Sequence, residues 1–208
     1  RNNLLKQFAG GHYFEPELLS VWDEQMIEYG TRIHTERQKF VEKLIPVFQH
    51  YYTYISQGNE KVGLTHQSGL YEKNLDELLH DSLSKDRLAQ YTTAGIHKDD
   101  LVFNIDEYPI KKLGSQGQKK TYLIALKLAQ FDFRKEISGM NRILLLDDIF
   151  DKLDSSRVEE IVKLVSDDQF GQIFMTDTNR EHLDIILEKI GTGYRIFNVN
   201  SGQIELKQ

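Results

Sequence analysis

Apolar residues recur at helical spacing through the first quarter of the chain. Between Glu15 and Ser56 they return in steps of three, four and seven, with charged and amide side chains between them. This spacing places them on one stripe of a long helix, which is typical of a coiled-coil-like arm. Gly30 and Pro46 interrupt this stripe. Proline lacks a backbone donor, so we expect a kink or a break into two helices there. A packed helical hairpin with a purely structural role and an arm that binds a partner both fit the pattern. The stripe consists of Leu18, Trp22, Met26, Tyr29, Ile33, Phe40, Leu44, Val47, Tyr51 and Ile55.

The next segments predict shorter elements. Residues 60–71 have the pattern of a strand and a turn, and residues 72–90 that of a helix. Residues 101–105 predict a strand that turns at Asp106-Glu107 and returns over residues 108–113. The residues that we expect to face inward from the helix are Leu75, Leu78, Leu79, Leu83 and Leu88.

The remainder of the chain alternates helices with short apolar runs. Almost wholly apolar strands separated by helices predict an α/β fold, with a mostly parallel sheet covered on both faces. The Asn200-Ser201-Gly202 sequence predicts the turn of a terminal hairpin. The predicted elements are a helix after Ser115, a strand at 142–146, a helix at 155–166, a strand at 172–175, a helix at 181–190 and the hairpin strands 194–199 and 203–206.

Composition excludes several classes of site. The chain has no cysteine, which rules out disulfides, zinc-thiolate sites and thiol catalysis and fits the cytoplasmic location that we expect. It contains no apolar run of about 18 residues, so we expect no membrane span. The net charge of −6 is spread evenly, so any contact with DNA must come from a local patch. The seven histidines show no ligand spacing, and we predict no metal other than Mg²⁺.

Two carboxylates follow an apolar run that ends at Leu146. Asp147 and Asp148 come directly after it, and ligands of parallel sheets bind at the carboxyl ends of the strands. An aspartate there can hold Mg²⁺ through water, and a second carboxylate can orient or deprotonate a water that attacks a phosphate. An acidic pair that ends a core strand can equally cap the next turn, so the pattern alone leaves both interpretations open.

A glycine-containing turn precedes the helix predicted after Ser115. Ser115 and Gln118 have capping-box spacing, and a helix start offers free backbone N–H groups and the positive end of the helix dipole. Gly117 lets a phosphate approach the backbone closely. No acidic residue lies between Ile110 and Leu128. A charge run is usually a solvated face and a capping box usually only a cap, but their convergence on one helix start favours phosphate binding. The lysines around the turn are Lys111, Lys112, Lys119 and Lys120.

The order of these segments resembles the C-terminal half of an ABC ATPase head. A Ser-Gln-Gly-Gln helix start is followed by the Asp147-Asp148 strand, then by Leu153-Asp154, and then by a strand that ends at Thr176-Asp177. In that superfamily the corresponding segments are the signature motif, Walker B, the D-loop and the switch position. The resemblance implies an ATP-gated dimer, because the signature motif of one head closes on ATP held by another.

Within the superfamily the chain resembles the RecF family. Residues 95–101 are similar to the GPHRDDL segment of that family, with Ile96 and Lys98 as departures. Residues 114–118 match its GSQGQ signature, and residues 144–148 match its LLLDD strand. The resemblance implies a helical, coiled-coil-like arm domain over residues 1–93 and the C-terminal lobe of an ATPase head over residues 94–208.

The resemblance also implies roles for individual residues. Asp147 would help to hold Mg²⁺, and Asp148 would position the attacking water. Ser115 and Gly117 would contact the γ-phosphate of ATP bound by a partner subunit, and Asp154 would link the two active sites of the dimer. Gln116 and Gln118 would shape the signature turn, and Thr176 occupies the switch position, where it can also merely end a strand.

RecF-like proteins act in DNA replication and repair, and the resemblance implies the same for this chain. The implied activity is ATP-dependent binding to gapped DNA or to junctions of single-stranded and double-stranded DNA. The implied partners are DNA, a second copy of the protein, RecR and RecO, and the implied cofactors are ATP and Mg²⁺.

The sequence departs from the resemblance in one important respect. No Gly-x-x-x-x-Gly-Lys-[Ser/Thr] segment occurs in these residues, so the loop that would cradle the phosphates is missing. We interpret the start at Arg1 as an interior cut and the chain as a fragment. We expect a weak ATPase in the complete protein, and neither tight ATP binding nor hydrolysis by this chain alone.

Two other interpretations remain open. One is an SMC-like or other ABC head with a different task, although its heptad arms would normally be much longer. The other is a non-enzymatic helical module that binds a partner protein. That module would explain the first 90 residues, but it would leave the Ser115 and Asp147 motifs as coincidences.

Overall fold

The computed structural model describes residues 1–11, 14–139, 143–166, 170–178 and 193–207, without the side chains of residues 136–138. No helix in these ranges is long and apolar enough to cross a membrane. The helices are α1 (Asn2–Gly10), α2 (Glu17–Ile55), α3 (Leu75–Ala89), α4 (Ile110–Leu113), α5 (Gln116–Ser138) and α6 (Ser155–Val165). The strands are β1 (Val62–Gln67), β2 (Asp100–Ile105), β3 (Tyr108–Pro109), β4 (Leu144–Asp147), β5 (Ile173–Thr176), β6 (Phe197–Asn200) and β7 (Gln203–Leu206).

The chain forms two compact units. The first contains Arg1–Val47 and Val62–Pro109, and the second contains Phe48–Lys61 and Ile110–Gln208. The helix α2 contributes residues to both units. Compactness does not by itself define an independently folding domain, so the domain division between residues 93 and 94 stays a prediction.

The helix α2 is continuous, so the predicted break into two helices is wrong, whereas the alternative, a kink, stays a prediction. It extends from Glu17 to Ile55 with Pro46 inside it. Gly30 allows α2 to pack closely against α3, because a Cβ atom built at Gly30 would lie 2.5 Å from the Leu75 side chain of α3. Much of the predicted apolar stripe is exposed, and its exposed members are Leu18, Trp22, Tyr29, Ile33 and Phe40.

The first unit contains an antiparallel sheet in the order β1-β2-β3. Val62 pairs with Ile105 at one end of the β1–β2 ladder, and Gln67 pairs with Asp100 at the other. The strands predicted within residues 60–71 and 101–105 are confirmed. The predicted return over residues 108–113 is wrong beyond Pro109, where the chain enters α4. Proline has no backbone N–H to extend the ladder.

The helix α3 confirms the element predicted over residues 72–90, but not all of its inward face. Leu75 and Leu79 are buried as predicted, whereas Leu88 is 88% exposed. Asp86 is fully buried in the same helix. The apolar periodicity therefore gives the wrong inward face at the end of α3, where a charged side chain points into the unit.

The second unit contains the predicted parallel pairing. The strands β4 and β5 are parallel, with Leu145 beside Phe174 and Asp147 beside Thr176. The helices α5 and α6 and both strands confirm the predicted alternation, whereas the predicted helix at 181–190 lies outside the described residues. Burial on both faces of this strand pair is not observed, because Leu145 is 68% exposed and Phe174 49% exposed.

The terminal hairpin is also confirmed. The strands β6 and β7 pair antiparallel, with Asn200 beside Gln203. The two residues between them, Ser201 and Gly202, have φ angles of 49° and 81°. A two-residue turn with two positive φ angles matches the right-handed twist of the flanking strands.

Candidate functional site

The first turn of α5 has the predicted capping box. The Ser115 hydroxyl accepts from the Gln118 backbone N–H at 3.2 Å, and the Gln118 side-chain oxygen accepts from the Ser115 N–H at 2.8 Å. The backbone N–H groups of Gln116 and Gly117 have no acceptor within the helix, because the first N–H groups of any α-helix lack one. Together with the helix dipole, they provide an arrangement that can bind an anion.

Gly117 packs closely against the loop that follows β4. A Cβ atom built on Gly117 would lie 3.3 Å from the carbonyl oxygen of Lys152. A larger residue at this position would therefore push against backbone as well as narrow the approach to the helix start.

Asp147, Asp148 and Thr176 lie together at the carboxyl ends of β4 and β5. The Thr176 hydroxyl donates a short hydrogen bond to an Asp147 carboxylate oxygen. The Asp148 N–H donates to both the carbonyl and the hydroxyl oxygen of Thr176, each at 3.2 Å. Thr176 therefore contacts both aspartates.

The backbone turns sharply after β4. Asp148 has a φ angle of 47°, in the left-handed region that aspartate tolerates better than most residues. The Lys120 ammonium group donates to the Asp148 carbonyl oxygen at 2.6 Å. Because Lys120 lies in the first turns of α5, this bond joins α5 to the aspartate pair.

Asp154 caps the start of α6. Its carboxylate accepts from the Arg157 backbone N–H at 3.0 Å, from the Ser156 hydroxyl at 2.5 Å and from the Arg157 Nε at 3.1 Å. Burial by itself raises the pKa of Asp154, but these hydrogen bonds and the nearby guanidinium outweigh it and hold the pKa below its ordinary value. The carboxylate is therefore charged at neutral pH.

The structure thus gathers the eight predicted site residues into three places. Ser115, Gln116, Gly117 and Gln118 form one helix start, Asp147, Asp148 and Thr176 form a strand edge, and Asp154 caps α6. Exposed carboxylate and hydroxyl oxygens at the strand edge are suitable donors for a hard cation such as Mg²⁺. Within the described residues, no group of three or more acidic, histidine or cysteine side chains is arranged to hold a metal ion by itself.

Three residues that no motif singled out connect two of these places, the start of α5 and Asp154. Arg157, Thr121 and Glu60 form hydrogen bonds with one another or with the predicted site residues. Arg157 stands three positions after Asp154, a spacing that places both on one helix face and could have indicated it. No local pattern indicates Glu60, because its partners lie far away in the sequence.

The comparisons with known proteins agree with the resemblance. No protein-family model matches the chain. The DNA replication and repair protein RecF of Bacteroides fragilis is 53% identical over 204 residues, which cover 98% of this chain and 54% of that protein. RecF of Flavobacterium johnsoniae is 50% identical over 199 residues, covering 96% of this chain and 55% of that protein. The chain therefore spans about half the length of the curated relatives that it matches.

Solved structures show the same relationship. The recombination mediator protein RecF-ATPrS of the RecFOR pathway superposes with a TM-score of 0.77 and 29% identity, over 100% of this chain and 55% of that chain. A structure from a study of SMC ATPases superposes with a TM-score of 0.52 at 11% identity, over 83% of this chain and 86% of that chain. The second likeness concerns the fold alone. The predicted fold class, an α/β fold with parallel strand pairing and a long helical arm, is confirmed, and over nearly its whole length the chain is similar to RecF.

Proposed function

We propose that this chain is part of an ATP-dependent DNA replication and repair protein of the RecF kind. The observation that carries the proposal is the pair of carboxylates at the end of β4. Asp147 and Asp148 contact Thr176 and, through the Asp148 carbonyl, Lys120 of the signature helix. If the two aspartates only capped a turn, there would be no reason for Lys120 to join that turn to a helix start that can bind phosphate.

The proposed roles follow from the chemistry of each place. The free N–H groups at the start of α5 would bind the γ-phosphate of ATP that a second copy holds, with Ser115 and Gly117 in contact and Gln116 and Gln118 shaping the turn. Asp147 would help to hold Mg²⁺, which neutralises phosphate charge. Asp148 would position the attacking water, because a carboxylate can accept a hydrogen bond from it.

Asp154 and Thr176 complete the proposed site. Asp154 would link the two active sites of an ATP-dependent homodimer. Thr176 would orient Asp147 through its hydroxyl while supporting the Asp148 backbone. Both roles need a second copy and ATP, and we propose that the 208 residues alone neither bind ATP tightly nor hydrolyse it, because their sequence contains no phosphate loop.

The proposed partners come from the same relationship. We propose binding to gapped DNA or to junctions of single-stranded and double-stranded DNA, with RecR and RecO as protein partners, in the cytoplasm. The solved RecF-ATPrS is described as a mediator in the RecFOR pathway. An SMC-like head with another task and a non-enzymatic helical module remain the alternatives.

Asp148→Asn tests this proposal in the complete gene product that contains these residues. We expect the amide to slow ATP turnover by about 100-fold, since it positions water without the carboxylate's charge, and to leave ATP binding within about twofold. ATP turnover and equilibrium binding of a fluorescent ATP analogue measure the two effects. Asp151→Asn is the matched control, because Asp151 lies three residues further on and pairs with Lys152 on the surface.

The outcomes separate the alternatives. Loss of turnover in Asp148→Asn but not in Asp151→Asn supports an ATPase of the RecF or SMC kind. Equal turnover in both variants, or no turnover in the unaltered protein, would contradict the proposal and favour the non-enzymatic module.

A further inference from the structure

The Arg157 side chain connects three segments of the second unit. Its Nε donates to Asp154 at 3.1 Å, its Nη1 to the Thr121 hydroxyl at 2.8 Å and its Nη2 to a Glu60 carboxylate oxygen at 2.8 Å. The guanidinium is planar and presents its donors in a fixed fork. Each of its three nitrogens therefore holds a different partner, and the three partners are fixed relative to one another.

Two of these partners lead to the first turn of α5. The Thr121 hydroxyl, which accepts from Arg157, itself donates to the Gly117 carbonyl oxygen at 2.9 Å. The Glu60 oxygen that accepts from Arg157 also accepts from the Gln118 side-chain amide at 2.9 Å. Gly117 and Gln118 are thereby joined to Arg157 by two separate routes of hydrogen bonds.

The third partner is Asp154. Because the same guanidinium bonds Asp154 directly and reaches Gly117 and Gln118 through one intermediate each, it spans two of the three predicted site segments. Thr121 is fully buried, and the side chains of Arg157 and Glu60 are each only 15% exposed. Little water is available to replace these bonds, and salt screens a partly buried pair less than a surface pair.

The protonation states of Glu60 and Tyr52 favour the hydrogen bonds that Glu60 accepts. Burial raises the pKa of Glu60, but hydrogen bonds from Tyr52, Arg157 and Gln118 outweigh it and lower that pKa below its ordinary value. Burial and the neighbouring carboxylate raise the pKa of Tyr52, so its hydroxyl stays a donor and bonds the second Glu60 oxygen at 2.6 Å. Glu60 is thus a charged acceptor with three donors.

We propose that Arg157, supported by Glu60, is a positioning residue that holds the signature turn of α5 and Asp154 of α6 in one fixed arrangement. The inference rests on the proposed function, in which both segments face ATP and a second copy of the protein. The guanidinium of Arg157 bonds Asp154, Thr121 and Glu60, and within the part of the chain that the structure describes it bonds neither the Ser115 hydroxyl nor the aspartate pair. Its contribution is therefore to dimerisation and turnover through geometry, and not to binding ATP.

Arg157→Lys and Glu60→Gln in the complete gene product test the inference with small changes of shape. Lysine keeps the charge, but its single ammonium cannot reach three separate acceptors. Glutamine keeps the size of Glu60 but loses a negative charge and an acceptor oxygen. We expect each variant to reduce ATP-dependent self-association and turnover by about tenfold or more, with ATP binding changed by no more than about twofold.

Glu160→Gln is the matched control. Glu160 lies one turn further along α6 and accepts from Gln57 and Lys163, so it also joins α6 to the segment before β1. Neither of these two hydrogen bonds leads to the signature turn. We expect this control to keep self-association and turnover within about twofold of the unaltered protein. Sedimentation measures self-association, and thermal unfolding reveals any variant that has lost its fold.

A double-mutant cycle completes the test. If Arg157 and Glu60 act together, Arg157→Lys combined with Glu60→Gln costs little more turnover than either change alone. Turnover and self-association that stay unchanged in both single variants, while Asp148→Asn remains inactive, would overturn this inference and leave the proposed function intact. Loss of ATP binding or of thermal stability in step with turnover would also overturn it, because a purely structural role predicts that pattern. An unaltered protein without ATP turnover would instead contradict the proposed function itself.

Discussion

Asp86 is a fully buried charged residue of the first unit, and the partners of its carboxylate lie in the same unit. Its carboxylate accepts from Arg1 at 2.5 Å and from the backbone and hydroxyl of Thr93 at 2.7 and 2.6 Å. Arg1 also bonds Asp23 of α2 at 2.5 Å. Burial raises the pKa of Asp86, but the bonds from Thr93 and Arg1 outweigh it and lower that pKa. The charge therefore ties α3, the chain before α1 and the loop after α3 together.

We predict that Asp86→Asn destabilises the complete gene product by about 3 kcal/mol, because the buried Arg1 charge loses one of its two carboxylate partners and keeps only Asp23. The pKa of Asp86 is lower in the folded state, so its stabilising effect is present above the ordinary aspartate pKa of about 4 and is lost as the pH falls through the folded-state value. Denaturant unfolding at several pH values should show a difference between variant and parent that shrinks below about pH 4. Asp81→Asn is the control, because Asp81 lies on the same helix but is half exposed in its pair with Lys73. An equal cost for both variants would contradict the argument.

At the scale of elements, the helices α3 and α5 both begin with a capping box. Asn74 caps α3 with Glu77 at the third position, and Ser115 caps α5 with Gln118 in the same way. Each box satisfies two backbone donors that the helix itself leaves free. Only the second box lies at the proposed phosphate site. Comparing variants of the two boxes therefore distinguishes the effect of losing a helix cap from the effect of losing a phosphate-binding residue.

We predict that Asn74→Ala and Ser115→Ala each lower the free energy of unfolding by about 1 kcal/mol, the usual cost of losing a cap. Only Ser115→Ala should also reduce ATP turnover and ATP-dependent self-association. Denaturant unfolding gives the first quantity, and turnover with sedimentation gives the others. If both variants lose turnover equally, or if neither does, the start of α5 has no special role in phosphate binding.

The elements also show which features local patterns predict. Capping spacing and apolar runs correctly indicated α5, β4, α6 and β5, because these signals lie within each segment. The break expected at Pro46 did not occur, since the flanking helical turns continue through it. The inward direction of Leu88 was also wrong, because burial at that end of α3 is decided by a charge pair with Arg1, 85 positions away in the sequence.

At the scale of the molecule, the sequence indicated which residues belong to the candidate site better than it indicated the hydrogen bonds that join them. Ser115, Asp148 and Asp154 were selected from short motifs whose spacing is local. Arg157 and Glu60 lie 97 positions apart, and their pairing depends on a fold that brings distant segments together. Contacts of that kind carry no periodic or motif signal, so they could be read only from the three-dimensional arrangement.

Charge is the remaining property that belongs to the whole molecule. The net charge of −6 disfavours general attraction to DNA, so the proposed DNA binding would have to come from local cations. Lys111 and Lys112 are exposed on α4, whereas Lys120 is committed to the Asp148 carbonyl oxygen. We predict that the first two lysines contact phosphates of the DNA backbone and that the third belongs to the proposed ATP site.

We predict that Lys111→Ala with Lys112→Ala weakens DNA binding by the complete gene product at every sequence tested. The slope of log affinity against log salt concentration is negative, and it should become less steep by about 2, about one for each lost phosphate contact. ATP turnover without DNA should stay unchanged. Lys73→Ala with Lys163→Ala removes the same total charge from two lysines that are paired with acidic side chains, and it should leave the slope unchanged. If the Lys111→Ala, Lys112→Ala variant instead loses ATP turnover in the absence of DNA, the prediction is contradicted. Lys111 and Lys112 would then act at the ATP site, because no DNA is present to account for the loss.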